Sequence, residues 1–365
     1  MLGYLDAENM KLNIEVADEC DARSWNEFVK MNPHATPYHL WEYGKSLSLT
    51  YGYKRFYLIA KEYEEIVGIL PLIQVKSLLF YNKLISLPFC EYGGQLSESK
   101  YIAKSLWKMA IEVANKLKVD YVEIRNPSSI PDINGYHRIQ RYVTFEIDLT
   151  KSKESLWRNL DKKTRNAIRK AMKKGVEVEE VENENCLKLY YKLYLKTQKR
   201  HGSPPNSFKL FYNIYRQLQP MGVMRILLAK YQGKTIGGII TFHLNGIIYW
   251  WGGVINLDYR YLNPTNLLLW EIIRWGAENG FKAFNLGRTR KGTSIYHFKS
   301  GWRGKEVFLQ DYVYFLNDNL HMNGKEFMLP DPYQSKYQFL SKIWSLLPTI
   351  IAEKIGPKIV SGIGL

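Results

Sequence analysis

Residues 268–289, LLWEIIRWGAENGFKAFNLGRT, align without a gap on residues 105–126, SLWKMAIEVANKLKVDYVEIRN. Trp270 falls on Trp107, Ala277 on Ala114, Phe284 on Tyr121 and Arg288 on Arg125. Leu267, Trp270, Ile273 and Ala277 follow helical spacing, so each copy predicts a helix with one face on a sheet, followed by a buried strand. What precedes each copy agrees. RFYLIAKEYEEIVGILPLIQV (55–75) and LISLPFCEYGGQL (84–96) stand before the first helix, and VMRILLAKYQGKTIGGIITFHL (223–244) and IIYWWGGVI (247–255) before the second. The same order of elements occurring twice is the mark of a duplication. The fold class is therefore α/β, in the α+β sense: two tandem domains, each a central, mostly antiparallel sheet flanked by helices. The expected boundaries are 1–150, 151–329 and a tail at 330–365.

The most apolar stretch, Gly237 to Ile255, is long enough to suggest a membrane span. Its β-branched and aromatic runs are parted by Asn245-Gly246, a dipeptide suited to a type I′ turn, so two hairpin strands are expected instead. The chain has 365 residues, 46% hydrophobic and 24% charged, enough for two buried cores. Its formal net charge of +16 favours an anionic partner: nucleic acid, a nucleotide sugar, a phosphorylated lipid carrier or an anionic membrane. Cys20, Cys90 and Cys186 form no CxxC pair, and MLGYLDAENM lacks a signal-peptide pattern, so a reducing cytoplasmic location is the expectation. Metal-binding spacings are absent, and no metal is expected.

Between the copies, 152–184 reads as one basic amphipathic helix ending at Gly175, followed by a Glu-rich strand or loop. Leu156, Leu160, Ala167, Ile168 and Ala171 make its apolar side; Lys162, Lys163, Arg165, Arg169, Lys170, Lys173 and Lys174 make the other.

RNAIRKAMKKGV (165–176), YWWGGVINLDYRYLNPTNLLLWEIIRWGAENGF (249–281), FNLGRT (284–289) and YHFKSGW (296–302), in this order and spacing, resemble the Fem-type aminoacyl transferases with duplicated GNAT-like acyltransferase domains. Trp41 and Lys45 in HLWEYGKSL look like the family's Trp-xxx-Lys element, and the resemblance covers about residues 25 to 315. It implies amide formation, in which an acceptor amine attacks an acyl group activated as aminoacyl-tRNA or acyl-CoA, with no resident cofactor. Such chemistry needs positioning and oxyanion stabilisation rather than a protein nucleophile. The chain has no GxSxG and no HExxH, in keeping with that.

The resemblance assigns Lys299 to the developing carbonyl oxygen or the leaving group, and Lys45 to the acceptor's diphosphate. Arg165 and Arg169 would serve the same anion or a tRNA end. Tyr296 and Phe298 flank the lysine, and His297 is a candidate base for the acceptor amine. Tyr249 and Trp251 are candidate cleft aromatics, while Arg260 and Asn266 occupy a strand-to-helix motif with partly structural duty. Gly287 and Gly292 bracket Arg288-Thr289-Arg290-Lys291, but Thr293 stands where a phosphate-binding loop needs lysine. Arg288 and Arg290 are read as anion-binding forks on one wall of the site. Where many members of the family carry Asp, this chain has Asn285.

The acceptor is expected to be an anionic, nucleotide- or lipid-linked cell-envelope precursor, with tRNA a candidate partner. The charged coiled-coil arm of some tRNA-dependent members is missing between 185 and 220. Two alternatives stand beside this reading: a conventional acyl-CoA N-acyltransferase, for which no pyrophosphate-binding Arg/Gln-x-x-Gly-x-Gly/Ala turn is found, and a non-enzymatic nucleic-acid binder. The tail, YQSKYQFLSKIWSLLPTIIAEKIGPKIVSGIGL (333–365), is too apolar for a free linker and too interrupted to span a bilayer. It is expected to pack on the first domain or to lie at the inner face of the membrane as a peripheral contact.

Overall fold

The computed structural model describes residues 12–77, 80–181, 183–316 and 335–364, with the side chains of 335–340 outside the description. Two compact units emerge: 12–44, 53–139 and 310–316 in the first, 45–52, 140–309 and 335–364 in the second.

In the first unit, β1 (Asn13–Val16), β3 (Leu58–Glu62), β4 (Glu65–Leu70) and β7 (Leu96–Ser97) form an antiparallel sheet in the order β1-β3-β4-β7. A second ladder joins 311–315, β8 (Tyr121–Arg125), β6 (Lys83–Ile85), β5 (Ile73–Val75) and β2 (Lys54–Arg55). The stretch 65–75 is thus two strands in two sheets. Pro71 lies at the break, where a residue without an N–H cannot carry a ladder through. Helix α3 (Lys100–Leu117) starts where the Ser99 hydroxyl accepts the Ile102 amide, 3.2 Å, and stops at Lys118, φ +50°. Its buried face, including Leu106, Trp107 and Ala114, covers β3, β4 and β8. It leads into β8, which runs parallel to β6.

Further back, helices α1 (Ala22–Met31) and α2 (Trp41–Tyr51) flank a turn held by buried His39, which exchanges hydrogen bonds with the Thr36 hydroxyl and the Gly94 carbonyl. Burial pushes the His39 pKa down to about 4. A base whose pKa is lower folded than unfolded costs stability as pH falls below its unfolded value of about 6.5, so up to about 3 kcal/mol should be lost between pH 6.5 and 4. Melting curves across that range should show the decline, and His39→Gln should flatten it. An equally steep profile in the variant would release His39 from the effect.

In the second unit the strand order is β10 (Glu177–Glu180), β11 (Met224–Tyr231), β12 (Lys234–Leu244), β13 (Ile247–Ile255), β14 (Ala283–Asn285) and the end of β9 (Tyr136–Asp148). All pairs are antiparallel except β13–β14, which are parallel and connected through α8 (Pro264–Glu278). The apolar run is the expected hairpin, with Asn245 at φ +50° and Gly246 at φ +81°. Both units therefore hold a helix leading into a strand parallel to its neighbour: α3 and β8, then α8 and β14. The mixed α/β fold expected from the repeat is what the chain adopts.

The basic segment is two helices, α4 (Lys153–Asn159) and α5 (Lys162–Lys173), rather than one. Asp161 causes the break: its carboxylate caps α5 by accepting the Thr164 amide, 2.5 Å. Gly175 ends α5 with φ +77°. Gly237 faces Pro264 and Leu268 of α8, whereas Gly238 faces Tyr190 of α6 (Glu184–His201). Neighbouring strand residues point oppositely, so α8 and α6 cover opposite faces of the sheet. Helix α7 (Phe208–Leu218) packs beside α6, and its Asn213 holds the second half of α2 through Thr50, 2.9 Å, and Ser46, 3.3 Å.

The tail forms two helices, Ser335–Leu346 and Thr349–Ile363, both against α6. The Ser341 hydroxyl donates to the His201 carbonyl, 3.1 Å, Gly356 abuts Pro205, and Ala352 and Val360 are buried. Gly202 and Gly356 let the chains approach at this contact with the second unit. Among the described residues no helix is long and apolar enough to cross a membrane.

Candidate active site

The site grows from one irregularity in the β9–β14 pairing. Glu146 lies opposite Asn285, and the Leu286 amide donates to the Phe145 carbonyl, 2.9 Å. Farther along, Val143 and Thr289 exchange hydrogen bonds of 2.9 and 2.7 Å. Three steps on β9 therefore match four on the other chain, which is a β-bulge. Gly287 supplies the extra residue at φ +68°, and a Cβ there would meet the Trp250 carbonyl oxygen at 2.6 Å.

Two buried side chains clamp the bulge. The Asn285 carbonyl accepts the Gly287 amide, 2.9 Å, and the Thr144 hydroxyl, 2.8 Å, while its amide donates to Glu146, 3.1 Å. An aspartate in its place lacks that donor and would set a second carboxylate against Glu146, which accounts for asparagine at this position. Lys299, on α9 (Ser294–Ser300), is 6% exposed; its ammonium donates to the carbonyls of Gly287 and Arg288, both at 2.9 Å, and lies 5.1 Å from the Trp250 ring centroid. Thr293 caps α9, and Tyr296 donates from its hydroxyl to Glu306, 2.5 Å, which also pairs with Lys291 at 2.7 Å. The bonds from Lys291 and then Tyr296 hold the Glu306 carboxyl below its usual range.

Beyond the bulge, Arg288 and Arg290 converge on Tyr142, their guanidinium carbons 5.2 and 5.9 Å from its ring centroid, and Arg141 stands 5.5 Å from the same centroid. The structure thus brings Arg288, Arg290, Tyr296, Phe298 and Lys299 into one neighbourhood. Arg141, Tyr142, Thr144 and Glu146 belong to it as well and were missed from sequence. The available signal was the alternation of Tyr142, Thr144 and Glu146 with buried Val143, Phe145 and Ile147.

The other candidates make contacts of different kinds, Tyr249 lying opposite Asn285 in the β13–β14 register. Trp41 is a core residue of the first unit: it is 3% exposed, packed edge-on to Trp25 and Tyr57, and covered by the Arg55 guanidinium at 4.7 Å. Lys45 is half-buried on the part of α2 that belongs to the second unit. The Arg165 guanidinium donates to the carbonyls of Arg158, 2.8 Å, and Leu160, closing the α4–α5 turn. Arg169 is exposed and lies 5.3 Å from the Trp157 ring centroid. Tyr249 is 6% exposed, and burial, then Glu146, pushes its phenol up. Trp251 packs on Phe211 and Phe242 at 5.5 and 5.4 Å. Arg260 is exposed in the turn before α8, and Asn266 sits in the first helical turn after Asn263, φ +54°. His297 is exposed on α9, its ring 5.6 Å from Tyr296. Among the described residues no His/Cys/Asp/Glu group is arranged to hold a metal.

Residues 161–300, which contain the bulge and Lys299 but not the facing strand 141–146, match the family described as acetyltransferase (GNAT) domain. The chain is 26% identical over 227 residues to a lipid II:glycine glycyltransferase of Staphylococcus saprophyticus, covering 57% of this chain and 54% of that one. It is 24% identical over 199 residues to a UDP-N-acetylmuramoylpentapeptide-lysine N(6)-alanyltransferase of Weissella viridescens, covering 53% and 56%. The aligned part thus spans about half the length of these curated relatives. In fold it is similar to the crystal structure of FemX, TM-score 0.68 at 17% identity over 85% of this chain and 98% of that one. A tandem GNAT protein from the clavulanic acid pathway gives 0.54 at 13% over 84% and 99%. In sequence the chain is thus similar, over a little more than half of its length, to these aminoacyltransferases, and in fold to tandem GNAT-like proteins.

Proposed function

We propose that the protein is a transferase that forms an amide bond by moving an aminoacyl group onto an amine of a peptidoglycan precursor. The observation that carries this reading is the similarity to relatives named as glycyl- and alanyltransferases of such precursors. The site's chemistry agrees with it. A cluster of cationic donors around a buried bulge suits positioning and charge stabilisation, the needs of acyl transfer between an activated donor and an amine. Aminoacyl-tRNA is the proposed donor and the cytoplasm the proposed location. Incubation with charged tRNA or acetyl-CoA, each with nucleotide-linked and lipid-linked muropeptides, followed by product mass, tests it. Acetylation of a small amine instead would favour the acyl-CoA reading, and salt-sensitive RNA binding without any transfer would favour the nucleic-acid reading.

Membrane contact through the tail is part of the same proposal. Leu346 is 82% and Ile350 70% exposed at the corner of the two tail helices, with Ile343, Ile351 and Ile355 also exposed and Lys342, Lys354 and Lys358 around them. Each lysine near an anionic surface adds about 1 kcal/mol of attraction. Because the tail covers α6, charge substitutions are a cleaner probe than truncation. Leu346→Glu with Ile350→Glu should abolish co-sedimentation with anionic liposomes, and equal binding by both proteins, or by neither, would remove the tail from membrane contact.

A further inference from the structure

We propose that Glu146 receives the ammonium of the acceptor substrate and takes its proton, with Asn285 as the residue that positions the carboxylate. The proposal rests on the amide-forming function proposed above for its chemistry and on the sheet for its geometry. Tyr249, Asn285 and Glu146 stand side by side on β13, β14 and β9, so their side chains share one face of the sheet. Tyr249 and Asn285 are buried, and Glu146 at the end of the row is half-buried. The Asn285 carbonyl accepts both the Gly287 amide, 2.9 Å, and the Thr144 hydroxyl, 2.8 Å. That pair fixes the sense of the side chain, so its amide is turned to the Glu146 carboxylate, 3.1 Å away. Gly304 packs on the backbone of Glu146, where an added Cβ would meet the carbonyl oxygen at 2.9 Å, and this holds the strand as well.

Among the described residues Glu146 makes no ion pair, and Asn285 is its one hydrogen-bond partner. Glu306, the other acid of this neighbourhood, is by contrast taken up by Lys291 and Tyr296. A neutral amide holds one carboxylate oxygen without neutralising the charge, and a substrate ammonium completes both tasks. Tyr249 is no rival as base, because burial and then the Glu146 charge push its phenol up and keep it protonated. The acceptor enters as an ammonium and gives one proton to Glu146 as its nitrogen attacks the acyl carbonyl. The N–C bond forms, the C–O bond to the donor's hydroxyl breaks, and a second nitrogen proton leaves on that oxygen. Glu146 then returns its proton to solvent.

Glu146→Gln keeps an oxygen for the Asn285 amide, so the fold should stand. With aminoacyl-tRNA and a lysine-bearing muropeptide, its kcat/KM should fall about 100-fold or more. The loss should shrink as pH rises from about 7 to 9, where more of a lysine amine is neutral without help. Glu146→Asp should retain more activity than Glu146→Gln. Asn285→Asp, which sets a second carboxylate beside Glu146, should move the acid limb of kcat/KM to higher pH. A second readout needs no transfer. Followed by saturation-transfer NMR on the full chain, Nα-acetyl-L-lysine methylamide should bind about 10-fold more tightly than its norleucine counterpart, and Glu146→Gln should erase the preference. Undiminished transfer in Glu146→Gln, a loss independent of pH, or a lysine preference absent from the parent or kept by the variant would each overturn the role. A deeper loss in His297→Ala would give it to His297, and an unmoved limb in a folded Asn285→Asp protein would remove Asn285 from it. A protein that transfers nothing yet selects the lysine probe through Glu146 sinks only the function. One that transfers to muropeptides with Glu146→Gln unimpaired sinks only the role of Glu146.

Discussion

Lys299→Met is expected to destabilise the second unit by about 2–5 kcal/mol and, with it, to remove most amide transfer. Methionine keeps the apolar stem but leaves the Gly287 and Arg288 carbonyls, both accepting at 2.9 Å, without their donor in a buried setting. Each such loss costs about 1–3 kcal/mol. The bulge then relaxes, so amide hydrogen exchange at 286–290 should accelerate. The family resemblance places the same ammonium at the reacting carbonyl, where losing one donor costs about 100-fold or more in rate. The two roles separate in the measurements. A variant as stable as the parent but about 100-fold slower would assign the lysine to the reacting oxygen alone, and a stable, fully active variant would deny it both roles.

The duplication was legible because two amphipathic helices and the strands after them share both spacing and residue type, from Trp107 and Trp270 to Tyr121 and Phe284. The hairpin at Asn245-Gly246 was legible for the same reason: local chemistry alone dictates it. Less so was anything set by pairing between distant strands. The break at Pro71 sends β4 and β5 to different sheets, and the Asp161 cap splits one basic helix into two, both visible only once partners are chosen. The site suffered most. Gly287 reads as a turn glycine in sequence, but its work is to shift a register against β9, more than a hundred positions earlier. For that reason Asn285 looked like a departure from the family, whereas it holds the bulge, and Tyr142 and Glu146 carried no motif. Trp41 shows the converse: a motif match whose side chain is buried in the core of the first unit.

The aligned pair Arg125 and Arg288 carries the second large effect. Arg125 ends β8 as Arg288 follows β14, yet it is 3% exposed and pairs with Glu123, itself 2% exposed, at 2.9 Å. Its guanidinium also donates to the Cys90 carbonyl, 3.0 Å, in a turn where Leu87 and Phe89 adopt φ of +58° and +62°. Asp311 is buried on the facing strand and favours the same charge. In the first unit the duplicated position is therefore structural: it neutralises buried carboxylates and holds a strained turn, whereas its counterpart lies half-buried beside Tyr142. Arg125→Met should cost the first unit about 3–5 kcal/mol, because it removes the guanidinium that pairs with buried Glu123. Urea unfolding followed by tryptophan fluorescence should show an early transition from the unit that holds Trp25, Trp41 and Trp107. Adding Glu123→Gln to Arg125→Met should recover part of the loss, since a neutral amide is cheaper to bury than a lone carboxylate. A single transition at the parent's midpoint would show that the buried pair contributes nothing.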